Sequence, residues 1–187
     1  MIDPATVERD KYREIWGVDE YRAHSPGMEN VERFLSVVKA SGSCSVIDLG
    51  CGEGRAGLEF FKRGFFVTWL DITDAALAPE VPRHRFIELP VWQLMRLQSY
   101  DFGFCCDVME HVPTEYVMLA FDRILATCDL AYFSIAMRPD MFGQAIGKPL
   151  HLTVRDFAWW RDHIASIGRL IEARDLCGDG IFVCRRN

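Results

Sequence analysis

The chain has 187 residues, half of them apolar, and a formal net charge of −6. That suits one ordinary globular domain, with no need of a second core. No apolar run nears the ~20 residues of a membrane span, and the N-terminus, MIDPATVERDKYREIW, is charged rather than signal-like, so a soluble, unexported, cytoplasmic protein is expected. The acids gather in residues 41 to 137 and no basic stripe suited to a phosphate backbone is present, which favours a small substrate over a nucleic acid.

In chain order, Val31, Phe34, Leu35 and Val38 follow the spacing of a helix that stops at Ser41-Gly42, and CSVIDL reads as a short buried strand. A glycine-rich turn, a helix around residues 55 to 63, the strand FFVTWL, a Pro-punctuated loop, a strand near HRFIE and the strand DFGFCC follow. Pro113 is expected to open the next helix at its first position, with Tyr116, Val117, Ala120, Ile124 and Leu125 on its apolar side, before the strand LAYFSIA. A helix over 153 to 167 turns Phe157, Trp160, Ile164 and Ile167 to the core and leaves Trp159 near His163. RLIEARDLC and GIFVCRR, joined through Gly178-Asp179-Gly180, then form an antiparallel hairpin. The pattern predicts an α/β fold: a doubly wound, mostly parallel seven-stranded sheet ending in an antiparallel hairpin, in three α/β/α layers of the Rossmann-like kind, with ligands beyond the strands' carboxyl ends. Residues 1–187 form one domain in this reading, with 1–42 an N-terminal helical lid or flank and 43–187 the cofactor-binding core. The seven cysteines, with no C-x-x-C among them, are expected to be reduced core residues.

VIDLGCGEGRAG, residues 46 to 57, carries the first chemistry: Gly50, Gly52 and Gly54 clear side chains where a strand meets a helix, so backbone can approach a ligand closely. Residues 52 to 57 also satisfy G-x-G-x-x-G, which raises a dinucleotide site. Asp48, two residues before the first glycine, disfavours a pyrophosphate but can meet a cationic or amine-bearing ligand. Asp71, ending the second strand, suits a ribose diol.

With D-L-G-C-G-E-G, W-L-D-I after the second strand and D-V-M-E-H-V-P after the fourth, the chain resembles class I S-adenosylmethionine-dependent methyltransferases across residues 44 to 184. The resemblance implies S-adenosylmethionine as cofactor, with Gly50, Gly52 and Gly54 along its methionine part, Asp71 on the ribose, Ile72 packed on adenine, Glu88 near the adenine amine and Asp107 near the sulfonium. E-L-P at Glu88 departs from the family's commoner D-x-x-x-L-P. Base-modifying branches carry N-P-P-Y, D-P-P-Y or a Pro-Cys nucleophile where this chain has DVMEHVP. The match is closer to O-methyltransferases of the demethylubiquinone type and to small-RNA 2′-O-methyltransferases, whose E-x-x-E-H and a later histidine hold a divalent ion. Here Asp107 replaces the first glutamate, and Asp107, Glu110, His111 and His151 are the corresponding ligand candidates for Mg²⁺, Mn²⁺ or Zn²⁺.

Without a metal, Glu110 is a first-turn acid of the Pro113 helix, His111 a wall residue, and His151 a proton acceptor, substrate contact or satisfied loop histidine. The segment before the first core helix offers Tyr12, Tyr21, Arg22 and His24 as lid and substrate contacts, or as a helix packed on the sheet flank. The expected activity is methyl transfer to a small polar acceptor through a hydroxyl oxygen, with a homodimer as the assembly to test for. The rivals are a nucleotide or RNA 2′-O-methyltransferase, with a basic mouth of Arg138, Lys148 and Arg155, and a cofactor-binding partner subunit without catalysis.

Overall fold

The computed structural model describes residues 3–23, 25–40, 42–95 and 98–186. A single seven-stranded sheet has the order β3-β2-β1-β4-β5-β7-β6. Its parallel part comprises β1 (Ser45–Leu49), β2 (Phe66–Asp71), β3 (Phe86–Glu88), β4 (Tyr100–Cys106) and β5 (Cys128–Ala136), in register Asp48 with Trp69 and Phe104, and Phe104 with Tyr132. β6 (Gly168–Asp175) and β7 (Asp179–Arg186) pair antiparallel to each other, and β7 runs antiparallel to β5. The predicted seven strands and closing hairpin are therefore present. Strand order reverses between β1 and β4, which opens a crevice beyond their carboxyl ends.

Helices cover both faces. On one side α3 (Pro26–Val38) and α4 (Arg55–Lys62) bury Phe34 and Phe60 against Phe104 and Tyr132 of the sheet, with Phe34 meeting the other three rings at 5.1 to 5.8 Å. On the other, α5 (Val117–Thr127) and α6 (Phe157–Ile167) bury Phe121, Ile124, Trp160 and Ile164 against Phe133 and Phe182. α1 (Pro4–Ile15) and the one-turn α2 (Asp19–Arg22) lie across the carboxyl edge. Trp69 sets the distance between α4 and the sheet: it is fully buried, donates its indole N–H to the Gly54 carbonyl at 3.1 Å, and lies so near Gly57 that a Cβ there would stand 2.1 Å from Nε1.

Several boundaries differ from the sequence reading. α3 ends at Val38 with Lys39 left-handed, and Ser41 lies outside the described residues. Pro113 precedes a 3-10 turn, Thr114–Tyr116, and α5 begins only at Val117: the Thr153 hydroxyl binds the Val112 carbonyl and Thr114, holding this entrance to a distant loop. α6 starts at Phe157, where Asp156 caps it by accepting from the Trp159 N–H at 2.8 Å. Trp160 and Ile164 are buried, and half-buried Trp159 stacks on His163 at 3.7 Å. All seven cysteines are free, but only Cys105, Cys106, Cys128 and Cys184 are core residues. Cys44 and Cys51 are half-buried, and Cys177 is exposed in the hairpin turn. Among the described residues no helix is long and apolar enough to cross a membrane.

Candidate functional site

The crevice begins at the turn from β1 into α4. Gly50 N–H and Cys51 N–H both donate to the Leu70 carbonyl, at 2.8 and 3.0 Å, folding the turn back over β2. Gly50 is left-handed (φ 68°), and a Cβ on it would stand 2.3 Å from Val108, so a side chain is excluded twice over. Asp71 closes the turn from the neighbouring strand: Oδ2 accepts from Gly52 N–H at 2.8 Å and Oδ1 from Thr73 N–H at 3.2 Å. Asp48 accepts from Gly57 N–H at 3.0 Å. Both carboxyls are buried, and burial outweighs these hydrogen bonds: Asp48 is pushed up to about 7 and Asp71 to about 6.

The cleft has two halves that share Trp16, Tyr21, Gly50, Gly52 and Asp107. One half, beyond β2 and β3, is lined by Asp71, Ile72, Leu89, Trp92, His111 and α1 residues. The other, beyond β1, is lined by Asp48, Cys51, Glu53, Ala56 and Phe104. Gly50, Gly52, Asp48, Asp71, Ile72 and Asp107 thus converge on one cleft. Two expected cofactor residues do not line it. Gly54 is a left-handed helix cap (φ 81°) packed on Trp69 and Val81. Glu88 sits at the end of β3 with Arg13 at 3.2 Å and Arg9 at 3.6 Å on its Oε1, drawn outward by their charge.

DVMEH forms the far wall. Asp107 leaves β4 with a left-handed backbone (φ 59°), which Asp tolerates better than most residues, and Met109–His111 make one 3-10 turn. Fully buried Glu110 accepts from Ala136 N–H at 2.6 Å, and its carboxyl lies against that of Asp107. Its backbone carbonyl accepts from Leu152 and Thr153 N–H, at 2.8 and 2.9 Å. That latch, with Asp140 accepting from the N–H groups of Leu150 and His151, brings His151 to His111: the rings meet edge-on at 4.6 Å. Asp107, Glu110, His111 and His151 each present one ligand atom, all within 4.8 Å of one another. Burial and the Asp107 charge push the Glu110 carboxyl well above the usual range. Burial would also raise Asp107, but the His111 imidazole beside it prevails and holds that carboxyl low. Burial and the neighbouring His111 depress the His151 imidazole, which keeps it neutral near pH 7.

α1 and α2 roof the cleft, so the N-terminal segment lies over the site rather than on the sheet flank. Tyr12 Oη is 2.5 Å from His111 Nδ1, Trp16 covers Gly52, and Tyr21 packs on Trp16 at 4.7 Å and on Phe142 at 5.6 Å. Arg22 instead bonds the Trp16 carbonyl and reaches Glu53, and His24 lies outside the described residues. Glu8, Trp16, Trp92 and Asp140 were missed in the sequence. Glu8, Tyr12 and Trp16 recur every four residues, a spacing that marks one helix face. The expected basic mouth is not continuous: Arg138 pairs with Asp179, Lys148 with Glu14, and Arg155 lies over Trp159.

No family model matches the chain. Among curated proteins it is 33% identical over 78 residues to the ubiquinone biosynthesis O-methyltransferase of Acinetobacter baumannii (strain AYE), covering 36% of this chain and 33% of that protein. It is 27% identical over 122 residues to the chloroplastic magnesium protoporphyrin IX methyltransferase of Arabidopsis thaliana, covering 56% of this chain and 39% of that protein. The chain thus spans well under half the length of these relatives. Among solved structures, the Burkholderia thailandensis 1,6-didemethyltoxoflavin-N1-methyltransferase with bound 1,6-didemethyltoxoflavin and S-adenosylhomocysteine superposes with a TM-score of 0.74 at 16% identity, over 100% of this chain and 92% of that one. The Synechocystis PCC 6803 magnesium protoporphyrin IX methyltransferase with bound S-adenosylmethionine gives 0.70 at 20% identity, over 100% and 99%. At such identities these likenesses establish the fold.

Proposed function

We propose that this chain, whose fold is that of the class I S-adenosylmethionine-dependent methyltransferases, moves a methyl group from S-adenosylmethionine to an oxygen of a small polar acceptor. The observation that carries the reading is the convergence of His111 and His151 with Asp107 and Glu110 at the edge of a cleft built by Gly50, Gly52 and Asp71. The names of the curated relatives agree, one being an O-methyltransferase.

When bound, the cofactor supplies a methyl group already activated by its sulfonium, so the protein's work is alignment, exclusion of water and management of the acceptor's proton. Asp71 holds the nucleoside side, and the glycine turn with Asp48 lines the half suited to the amino-acid side. Trp16 and Tyr21 exclude water from above. His151 Nδ1 lies 2.6 Å from the Arg138 carbonyl, to which it donates, leaving Nε2 as a neutral acceptor for the proton of a hydroxyl.

The same residues fit a divalent ion. Asp107 and buried Glu110 set two carboxyls against each other, a like-charge pair that a cation would relieve, and His111 Nδ1, like His151 Nδ1, lies near a backbone carbonyl, that of Leu150 at 3.1 Å. Donation to a carbonyl leaves Nε2 for a metal; at His111 the Tyr12 hydroxyl, 2.5 Å away, competes for the same nitrogen. Asp107, Glu110, His111 and His151 would hold Mg²⁺, Mn²⁺ or Zn²⁺, which would lower the acceptor hydroxyl's pKa.

Release of S-adenosylhomocysteine, followed over a panel of small phenols, carboxylic acids and amines, tests the activity: turnover is expected with oxygen acceptors, and turnover confined to amines refutes the reading. His151→Ala should lower kcat about 10²-fold while S-adenosylhomocysteine affinity stays put. For the metal, titration calorimetry with Mn²⁺ should give one site in the wild type and none in His151→Ala.

A further inference from the structure

Followed from its C-terminal end, α1 crosses the cleft residue by residue. Trp16 stands against Gly52, Tyr12 against His111, Arg9 donates to the Ile72 carbonyl at 3.1 Å, and Ala5 joins the core cluster that holds Val91 and Trp92. Glu8, between Tyr12 and Ala5 on the inward face, therefore lines the cleft beyond Tyr12. Ile72, Leu89, Val91, Trp92 and Val112 line the same cavity and give it an apolar wall. A flat heterocycle packs on such a wall by its face and needs a polar partner only at its edge.

Glu8 is the acid on that wall, lining the cavity at 8% exposure. Lys11 meets its Oε2 at 2.5 Å and is itself tied to the Pro149 carbonyl at 3.1 Å, so the carboxylate has both a countercharge and an anchor. Oε2 is a buried oxygen that no hydrogen bond reaches among the described residues, the Lys11 contact being an ion pair. Glu88, the acid that ends β3, has two arginines on one oxygen and does not line the cavity. A carboxylate only accepts, and an exocyclic amine at an adenine edge only donates, so the two are complementary.

We propose that Glu8, supplied by the N-terminal helix, recognises the 6-amino group of the cofactor's adenine in place of the acid that ends β3. The assignment rests on the methyltransferase reading above and makes the N-terminal helix part of the cofactor site as well as its roof.

Titration calorimetry on the full chain with S-adenosylhomocysteine and with S-inosylhomocysteine, whose 6-oxo group replaces the amine, tests it. The wild type should bind the adenosine form at least about tenfold more tightly, as a charge-assisted hydrogen bond allows. Glu8→Gln keeps the side chain's volume and a contact for Lys11, and its amide can serve either base, so the two affinities should come within about twofold. Glu8→Ala should do the same through loss of S-adenosylhomocysteine affinity. Should Glu8→Ala fail to fold, by melting temperature and circular dichroism, Glu8→Gln decides alone. Retention of the wild-type preference in Glu8→Gln overturns the assignment, even where turnover drops, as does loss of the preference in Glu88→Ala instead. Equal binding of both nucleosides by the wild type also overturns it and leaves the methyltransferase reading standing; failure to bind either one removes both.

Discussion

Asp71→Asn separates a structural role from a binding role more sharply than truncation does. In the cofactor-free protein each carboxylate oxygen already accepts one backbone N–H, Oδ2 from Gly52 at 2.8 Å and Oδ1 from Thr73 at 3.2 Å, and each keeps a second lone pair that a ribose hydroxyl can use. Asparagine has the same shape but only one accepting oxygen. With that oxygen on the shorter Gly52 contact, the amide NH₂ faces the Thr73 N–H, donor against donor, and cannot accept from the ribose. One hydrogen bond to a charged group is then lost, about 1.5 to 3 kcal/mol, or roughly a 10- to 100-fold rise in the Kd for S-adenosylhomocysteine by titration calorimetry. Stability should change far less, because neutralising a buried carboxylate offsets the unpaired N–H. A melting shift of no more than about 4 °C without ligand is expected, the size of a 1 kcal/mol change. An affinity within about twofold of wild type in a folded variant would refute the assignment of the diol to Asp71.

Gly57→Ala sets a Cβ 2.1 Å from Trp69 Nε1 and 2.7 Å from its Cε2 in a fully buried contact. It should cost roughly 3 kcal/mol, seen as a melting temperature lower by about 6 to 12 °C, whereas an unchanged melt would mean that Trp69 does not set the α4 spacing. Asp48 and Asp71 titrate at about 7 and about 6 in the cofactor-free protein, above the ~3.9 of an unfolded Asp, so their contribution to stability is full below about pH 4 and is lost as pH rises through 6 and 7. The ligand-free protein should therefore lose stability across that window, less so in Asp48→Asn. Binding of S-adenosylhomocysteine, whose amine and diol favour the ionised acids, should tighten with rising pH and release protons; calorimetry in two buffers of different ionisation enthalpy would expose the opposite sign.

The strands, the final hairpin and the glycine turn are legible along the chain because their causes are local. Alternation, buried apolar runs and glycines at a strand-to-helix junction act over a few residues, and Asp48, Asp71 and DVMEH take their places from the strands that carry them. Tertiary packing decided the rest. Tyr12 meets His111 across 99 positions, a contact that exists only because α1 is tied to Ile72, Glu88 and Pro149 by Arg9, Arg13 and Lys11. His151 reaches His111 because the Glu110 carbonyl and Asp140 latch its loop, neither of which leaves a periodic signal. Glu88 ends β3 beside the cleft yet does not line it, since two arginines on α1 hold its carboxylate, and Pro113 stops short of opening α5 because Thr153 holds the preceding turn. Periodicity states which side of an element is buried. Which distant group a charged or polar side chain will meet depends on how the elements dock, and that set the roof and the imidazole wall of this cleft.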